Sequence, residues 1–148
     1  MRILAPLSRL RATLGLQEKP HERETESVSG SPAVWAAAAA EQQAMVPAER
    51  QELYEIRERY VRDVTWDDMT ISHELGTFLL ALCRTVSARR ILDLGSGLSS
   101  LVFRRYVAGL PAARVWTVDD DASWLSQTAT LLRQHDLPTD DLMTWPEL

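Results

Sequence analysis

The feature that most constrains the fold is an apolar segment, residues 90–94, that runs directly into a glycine-rich loop. The glycines at positions 95 and 97 allow a tight turn and let the backbone approach a ligand without an intervening Cβ. The residues from Leu98 onward are compatible with a helix, whose first turn would present unpaired N–H groups to the loop. We therefore predict a strand, a ligand-binding loop and a helix, in that order.

A second acidic position follows at an informative distance. Residues 114–118 predict another buried parallel strand, which ends at Asp119, 22 positions after Gly97. A doubly wound fold places a ribose-binding carboxylate at this position. A third strand is predicted at 141–145, with right-handed βαβ connections. The expected fold is α/β, a Rossmann-like doubly wound parallel sheet preceded by N-terminal helices.

Asp93 helps to distinguish between nucleoside cofactors. In a dinucleotide fingerprint, the position two before the first glycine is a buried strand residue, where an unpaired charge is costly. We therefore expect Asp93 to have a cationic partner. The pattern Asp93-x-Gly95-x-Gly97-x-Ser99, with Asp119 ending the next strand, resembles the first two motifs of the Rossmann-like (class I) S-adenosylmethionine-dependent methyltransferases.

The resemblance covers about residues 67–148 and implies S-adenosyl-L-methionine as the cofactor. It implies that Asp93 orients the amino-acid end of that cofactor, that the glycine loop passes beside it, and that Asp119 accepts from the ribose hydroxyls. Ser99 stands where the family often has a third glycine. The resemblance implies a small-molecule methyl acceptor and identifies no catalytic residue. The expected cofactor-binding residues are Asp93, Gly95, Ser96, Gly97, Ser99, Asp119 and Asp120.

Two other interpretations remain open. The sequence Gly95-x-Gly97-x-x-Ser100 also approximates the dinucleotide fingerprint, which would indicate an NAD(P)-dependent oxidoreductase. The third interpretation is a non-catalytic remnant or binding module that keeps the fold. A metal site at the acidic run 119–121 is not predicted, because adjacent carboxylates on a turn point in different directions. We expect Asp121 to cap a helix that begins at Ala122 instead.

The chain divides into three predicted regions. Residues 1–32 are expected to form a flexible tail and linker, residues 33–66 helices, and residues 67–148 the N-terminal half of the methyltransferase domain. Three strands make half of a doubly wound sheet, so we expect an N-terminal fragment. Such a fragment would expose apolar strand surface and could self-associate through the sheet edge.

Composition restricts the classes of partner. The formal net charge of −5 argues against nucleic acid as the main partner, since phosphate binding requires a concentrated basic surface. No apolar run is long enough for an integral membrane segment, and the expected location is cytoplasmic. Cys83 is the single cysteine and falls on the apolar side of a helical pattern, which predicts a small buried hydrophobe rather than a nucleophile.

Overall fold

The computed structural model describes residues 31–145, which form five α-helices and a three-stranded sheet. A short 3₁₀ helix, Asp67–Met69, lies between α2 and α3. Apart from its last two residues, the predicted tail lies outside the described residues. In chain order the elements are α1 (Pro32–Ala44), α2 (Pro47–Asp63), α3 (His73–Thr85), β1 (Arg90–Leu94), α4 (Leu98–Val107), β2 (Arg114–Asp119), α5 (Ala122–Gln134) and β3 (Leu142–Thr144).

The sheet is parallel throughout, with strand order β1-β2-β3. Ile91 lies opposite Val115, and Thr117 lies opposite Leu142. The three predicted strands are therefore present, although β3 is shorter than the predicted segment 141–145. The α/β class with a parallel sheet is confirmed.

Local signals explain where two of the helices begin. The Ser72 hydroxyl accepts the Leu75 N–H at 3.2 Å and caps α3. The Asp121 carboxylate accepts the Ser123 N–H at 2.7 Å and caps α5, which begins at Ala122. Each side chain satisfies a backbone donor that has no partner within its helix. The predicted capping role of Asp121 is confirmed.

The two faces of β1 differ. Ile91 and Asp93 are buried on one face, whereas Leu92 and Leu94 alternate with them and are exposed on the other. The expected exposure of apolar strand surface is therefore seen at these two leucines. Self-association through the sheet edge stays a prediction.

The main hydrophobic core joins the N-terminal helix α2 to α3, α4 and α5. Tyr60, near the end of α2, packs in the same cluster as Leu98 and Leu101 at the start of α4. This packing brings the C-terminal end of α2 to the glycine loop that precedes α4. The buried members of the cluster are Met45, Leu53, Ile56, Tyr60, Leu80, Leu98, Leu101, Val102, Leu131 and Leu132.

Two predictions from composition can be compared with the fold. Cys83 is buried, as predicted, and it is a free cysteine that packs against Ile91 and Val115. Burial raises the pKa of its thiol to about 11, which keeps the less nucleophilic thiol form at neutral pH. Among residues 31–145, no helix has the length and apolar character needed to span a membrane.

Candidate functional site

The loop between β1 and α4 depends on two glycines with positive φ. Gly95 has φ of 100° and Gly97 has φ of 136°, regions that other residues rarely adopt. A Cβ on Gly95 would meet nothing within 4 Å, whereas a Cβ on Gly97 would lie 3.1 Å from Tyr60 Oη. Gly95 therefore serves the turn, and Gly97 also permits a close approach.

Asp93 lies behind this loop in a network of hydroxyl groups. Its side chain is buried, with 5% of the residue exposed. Oδ1 accepts the Ser99 hydroxyl at 3.0 Å, and Oδ2 accepts the hydroxyls of Ser100 at 2.6 Å and Thr117 at 3.3 Å. Burial raises the pKa of Asp93, and these hydrogen bonds oppose the rise. The carboxylate thus ties β1 to both β2 and the first turn of α4.

The cationic partner expected for Asp93 is Arg104, and the two side chains are linked through the Thr117 hydroxyl. Arg104 is fully buried in α4, and its Nη1 donates to Thr117 Oγ1 at 2.7 Å while Nη2 donates to the Asp140 carbonyl at 3.0 Å. Thr117 in turn donates to Asp93, so the two charges are linked through one hydroxyl. The sequence analysis missed Arg104. Its position three residues after Leu101, on the buried side of α4, was the available signal.

Asp119 connects the two loops of the candidate site, which are the glycine loop of residues 95–97 and the turn of residues 119–121 between β2 and α5. Its Oδ2 accepts the Ser96 N–H at 2.7 Å, and its Oδ1 accepts the Asp121 N–H at 2.9 Å. A carboxylate oxygen has two lone pairs, so each oxygen keeps one for another donor. Asp119 is partly buried, and its neighbour Asp120 is exposed on the same turn. The structure thus brings Ser96 and Asp119 together at the carboxyl ends of β1 and β2.

The Ser96 side chain adds a buried polar atom to the glycine loop. The Ser96 Oγ is buried and has no hydrogen-bond partner among the described residues. Buried polar groups are normally hydrogen-bonded, so such an exception requires an explanation. Its place in the loop beside Asp119 fits a ligand or an ordered water as the partner.

The predicted cofactor residues therefore form two groups. Asp93 and Ser99 belong to the buried network behind the loop. Ser96 contacts Asp119 directly, and the two glycines shape the backbone between them. Asp120 lies beside this group but is exposed.

Two aromatic residues that sequence reasoning did not place in the site lie next to it. Tyr60 contacts the glycine loop, and both burial and the negative charge of Asp119 raise the pKa of its phenol. Trp66 lies edge-on to Trp124, with 6.3 Å between the ring centroids. The spacing of α2 predicts Tyr60 only as part of an apolar face, because its contact with Gly97 comes from tertiary packing.

A separate cavity of about 420 Å³ contains none of the predicted cofactor residues. Arg50 donates there to the carbonyls of Gln42 and Gln43 at the end of α1, so its guanidinium serves the helix terminus. We therefore centre the candidate site on the two loops. The cavity is lined by Gln43, Met45, Pro47, Arg50, Gln51, Tyr54 and His73.

Within residues 31–145, no group of three histidine, cysteine or acidic side chains is arranged to hold a metal ion. The chain shows no significant similarity to any protein-family model, curated protein or solved structure with which it was compared. The functional assignment therefore rests on the geometry of the two loops and the residues around them.

Proposed function

We propose that this chain carries the cofactor-binding half of a Rossmann-like methyltransferase and binds S-adenosylmethionine at the carboxyl ends of β1 and β2. The observation that carries the proposal is the hydrogen bond between the Asp119 carboxylate and the Ser96 N–H, at 2.7 Å. This bond fixes an acidic acceptor against a glycine loop. The same arrangement suits a ribose whose hydroxyls need a charged acceptor.

The residues of the site fit such a ligand in three respects. The positive φ at Gly97 gives the loop a backbone surface that a ligand can approach closely. Asp119 retains acceptor capacity on both oxygens after its two amide hydrogen bonds. The Ser96 hydroxyl supplies a further polar group without a protein partner in the described residues.

Asp93 favours this cofactor over a dinucleotide. Its position, two residues before the first glycine, is occupied by an apolar strand residue in the dinucleotide fingerprint. Here this position holds a buried acid, and its carboxylate restrains the loop by accepting hydrogen bonds from the Ser99 and Ser100 hydroxyls. The Ser100 hydroxyl also accepts the Gly97 N–H at 3.3 Å, which extends the restraint to the second glycine.

Methyl transfer depends mainly on alignment. S-adenosylmethionine supplies an electrophilic methyl group on a sulfonium, and a small-molecule acceptor would have to be held in line with it. The contribution of the described residues is to bind and orient the nucleoside portion. No described residue is assigned as a general base.

Isothermal titration of the 148-residue chain with S-adenosylmethionine, S-adenosylhomocysteine and NAD⁺ tests the proposal. We expect the first two to bind and NAD⁺ not to bind. Asp119→Ala should weaken binding by about 1–3 kcal/mol, because the ribose hydroxyls lose a charged acceptor. Asp68→Ala, at an exposed acid in the 3₁₀ helix, is the control and should leave affinity unchanged.

The alternatives give different results. Binding of NAD⁺ alone would favour a dinucleotide-binding protein, and binding of none of the three would favour a non-catalytic module. Unchanged affinity in a folded Asp119→Ala variant would remove Asp119 from the ligand site.

A further inference from the structure

The two loops are flanked by the segment of residues 60–66, which begins in the last turn of α2 and lies outside the α/β unit. We infer that Tyr60 and Trp66 of this segment are ligand-binding residues, with the Tyr60 hydroxyl donating to a ligand oxygen and the Trp66 ring packing on the nucleobase. This inference rests on the proposed function, because it assumes a nucleoside ligand at the two loops.

Tyr60 faces the first loop. Its hydroxyl lies 3.1 Å from the position that a Cβ of Gly97 would occupy, and the nearest ring carbons lie at 3.8 and 3.9 Å. Only 4% of Tyr60 is exposed. The negative charge of Asp119 also acts on the phenol and disfavours its ionised form. Tyr60 therefore presents a neutral O–H donor near both the glycine loop and the predicted ribose acceptor.

Trp66 contacts α5, the helix that follows the second loop. Its ring lies edge-on to Trp124, which is in the first turn of α5, three residues after the cap Asp121. Trp66 is 57% exposed and is therefore accessible to a ligand. Together the two tryptophans offer an aromatic surface at the start of α5, the helix that follows Asp119 in the chain. Such surfaces bind nucleobases by stacking, and stacking does not depend on which hydrogen-bond donors and acceptors the base carries.

The segment is held in place on both sides. The N–H groups of Val64 and Thr65 donate to the Tyr60 carbonyl at 3.0 and 3.2 Å and close the end of α2. Arg57 donates from Nε to the Ile71 carbonyl at 3.0 Å and pairs with Asp67. These contacts fix the chain before and after Trp66, so the two aromatic side chains are preorganised.

The segment also carries a hydroxyl without a partner. The Thr65 Oγ1, next to Trp66 in the chain, is buried and has no hydrogen-bond partner among the described residues. The Ser96 Oγ, next to Gly97 in the chain, is in the same state.

The test measures the affinity of the full chain for S-adenosylhomocysteine and for adenosine by isothermal titration. Tyr60→Phe removes a single oxygen and should weaken S-adenosylhomocysteine binding roughly 5-fold, the loss of one hydrogen bond. Trp66→Ala should weaken both ligands roughly 10-fold, the loss of one stacking contact. The adenosine measurement matters because adenosine contains the base and ribose without the amino-acid end.

Matched controls come from the same helical region. Tyr54→Phe changes another tyrosine of α2, which lies edge-on to His73 and away from Gly97. Trp35→Ala changes a tryptophan of similar exposure, 48%, which stacks on Phe78. Both controls should keep wild-type affinity within about twofold, which is below the loss of one hydrogen bond.

The outcomes separate this inference from the proposed function. If the wild-type chain binds neither ligand, the proposed function fails. If the wild type binds and Tyr60→Phe and Trp66→Ala bind equally well, the inferred wall is wrong while the cofactor site stands. A Trp66→Ala effect on S-adenosylhomocysteine that is absent with adenosine would overturn the contact with the base. If Trp66→Ala does not fold, Trp66→Phe replaces it and should weaken the binding of both ligands by roughly threefold, because the smaller ring keeps part of the stacking contact. Unchanged affinity in a folded Trp66→Phe variant would overturn the role of Trp66.

Discussion

Asp93 and Asp119 are both aspartates at the ends of neighbouring parallel strands, yet their environments differ. Asp93 is buried and accepts only side-chain hydroxyls, from Ser99, Ser100 and Thr117. Asp119 is partly buried and accepts backbone N–H groups, from Ser96 and Asp121. The first carboxylate is enclosed by protein, whereas the second lies at the edge where the two loops meet.

The difference indicates separate tasks. A carboxylate surrounded by hydroxyls and linked to a buried arginine stabilises the loop behind the site. A carboxylate with amide partners and remaining lone pairs can accept from a ligand. The resemblance implied ligand contact for both residues, and we now propose direct contact for Asp119 and a positioning role for Asp93.

The largest effect should come from Arg104→Met. The substitution keeps an unbranched, though shorter, side chain but leaves the Thr117 hydroxyl, the Asp140 carbonyl and the Asp93 charge without their cationic partner. Loss of one partner from a buried charged network costs about 4 kcal/mol of unfolding free energy. Urea denaturation followed by tryptophan fluorescence measures the loss.

Arg114→Met is the control for Arg104. Arg114 is exposed and its guanidinium lies over the ring of Trp116, so its removal should cost less than about 1 kcal/mol. Equal destabilisation by the two variants would show that the Asp93 network does not depend on a buried charge.

A smaller effect is expected for Thr117→Val. Thr117 and Thr128 are both fully buried, but only the Thr117 hydroxyl has hydrogen-bond partners among the described residues. Thr117→Val should cost about 2 kcal/mol, because Asp93 and Arg104 each lose a partner. Thr128→Val should be neutral or stabilising, since it removes an unsatisfied hydroxyl. If chemical denaturation reverses this order, the network is not what holds the loop.

The two glycines give a third and smaller comparison. Both Gly95→Ala and Gly97→Ala place a side chain at a positive φ, but only the second meets a neighbour, Tyr60. We expect Gly97→Ala to be less stable than Gly95→Ala by about 1 kcal/mol. Thermal unfolding of both variants measures the difference. Tyr60→Phe combined with Gly97→Ala should recover part of it, and no recovery would contradict the contact.

The smallest effect is a dependence on pH. Burial raises the pKa of Asp93 above 3.8, so the folded state holds its proton more tightly than the unfolded state. Its contribution to stability is greatest at low pH and is lost as pH rises from 3.8 through the raised pKa. The melting temperature of the wild type relative to Asp93→Asn should therefore fall as pH rises in this range.

The pH dependence of stability that we expect from Asp121 has the opposite sign to that from Asp93. Its hydrogen bonds from Ser123 lower its pKa, so its contribution is present above 3.8 and is lost as pH falls through the lowered value. The wild type relative to Asp121→Asn should therefore lose stability as the solution becomes more acidic. If the stability of the wild type relative to each variant changed with pH in the same direction, the contrast between the buried Asp93 network and the exposed Asp121 turn would be contradicted.

The sequence determined the local elements. Short, mainly apolar runs, paired glycines and the capping acid Asp121 were enough to predict β1, the loop, β2 and the start of α5, because each signal acts through neighbouring residues. The burial of Cys83 followed in the same way from helical spacing. The short β3 was also predicted, within one residue at each boundary.

Only the tertiary structure decided which distant side chains meet. Arg104 reaches Asp93 through Thr117, and Tyr60 reaches Gly97 from a helix that precedes the sheet. No local pattern encodes these pairs, because they arise when separate apolar faces pack into one core and carry their polar atoms with them. The sequence thus specified where the loops form, and packing specified which side chains surround them.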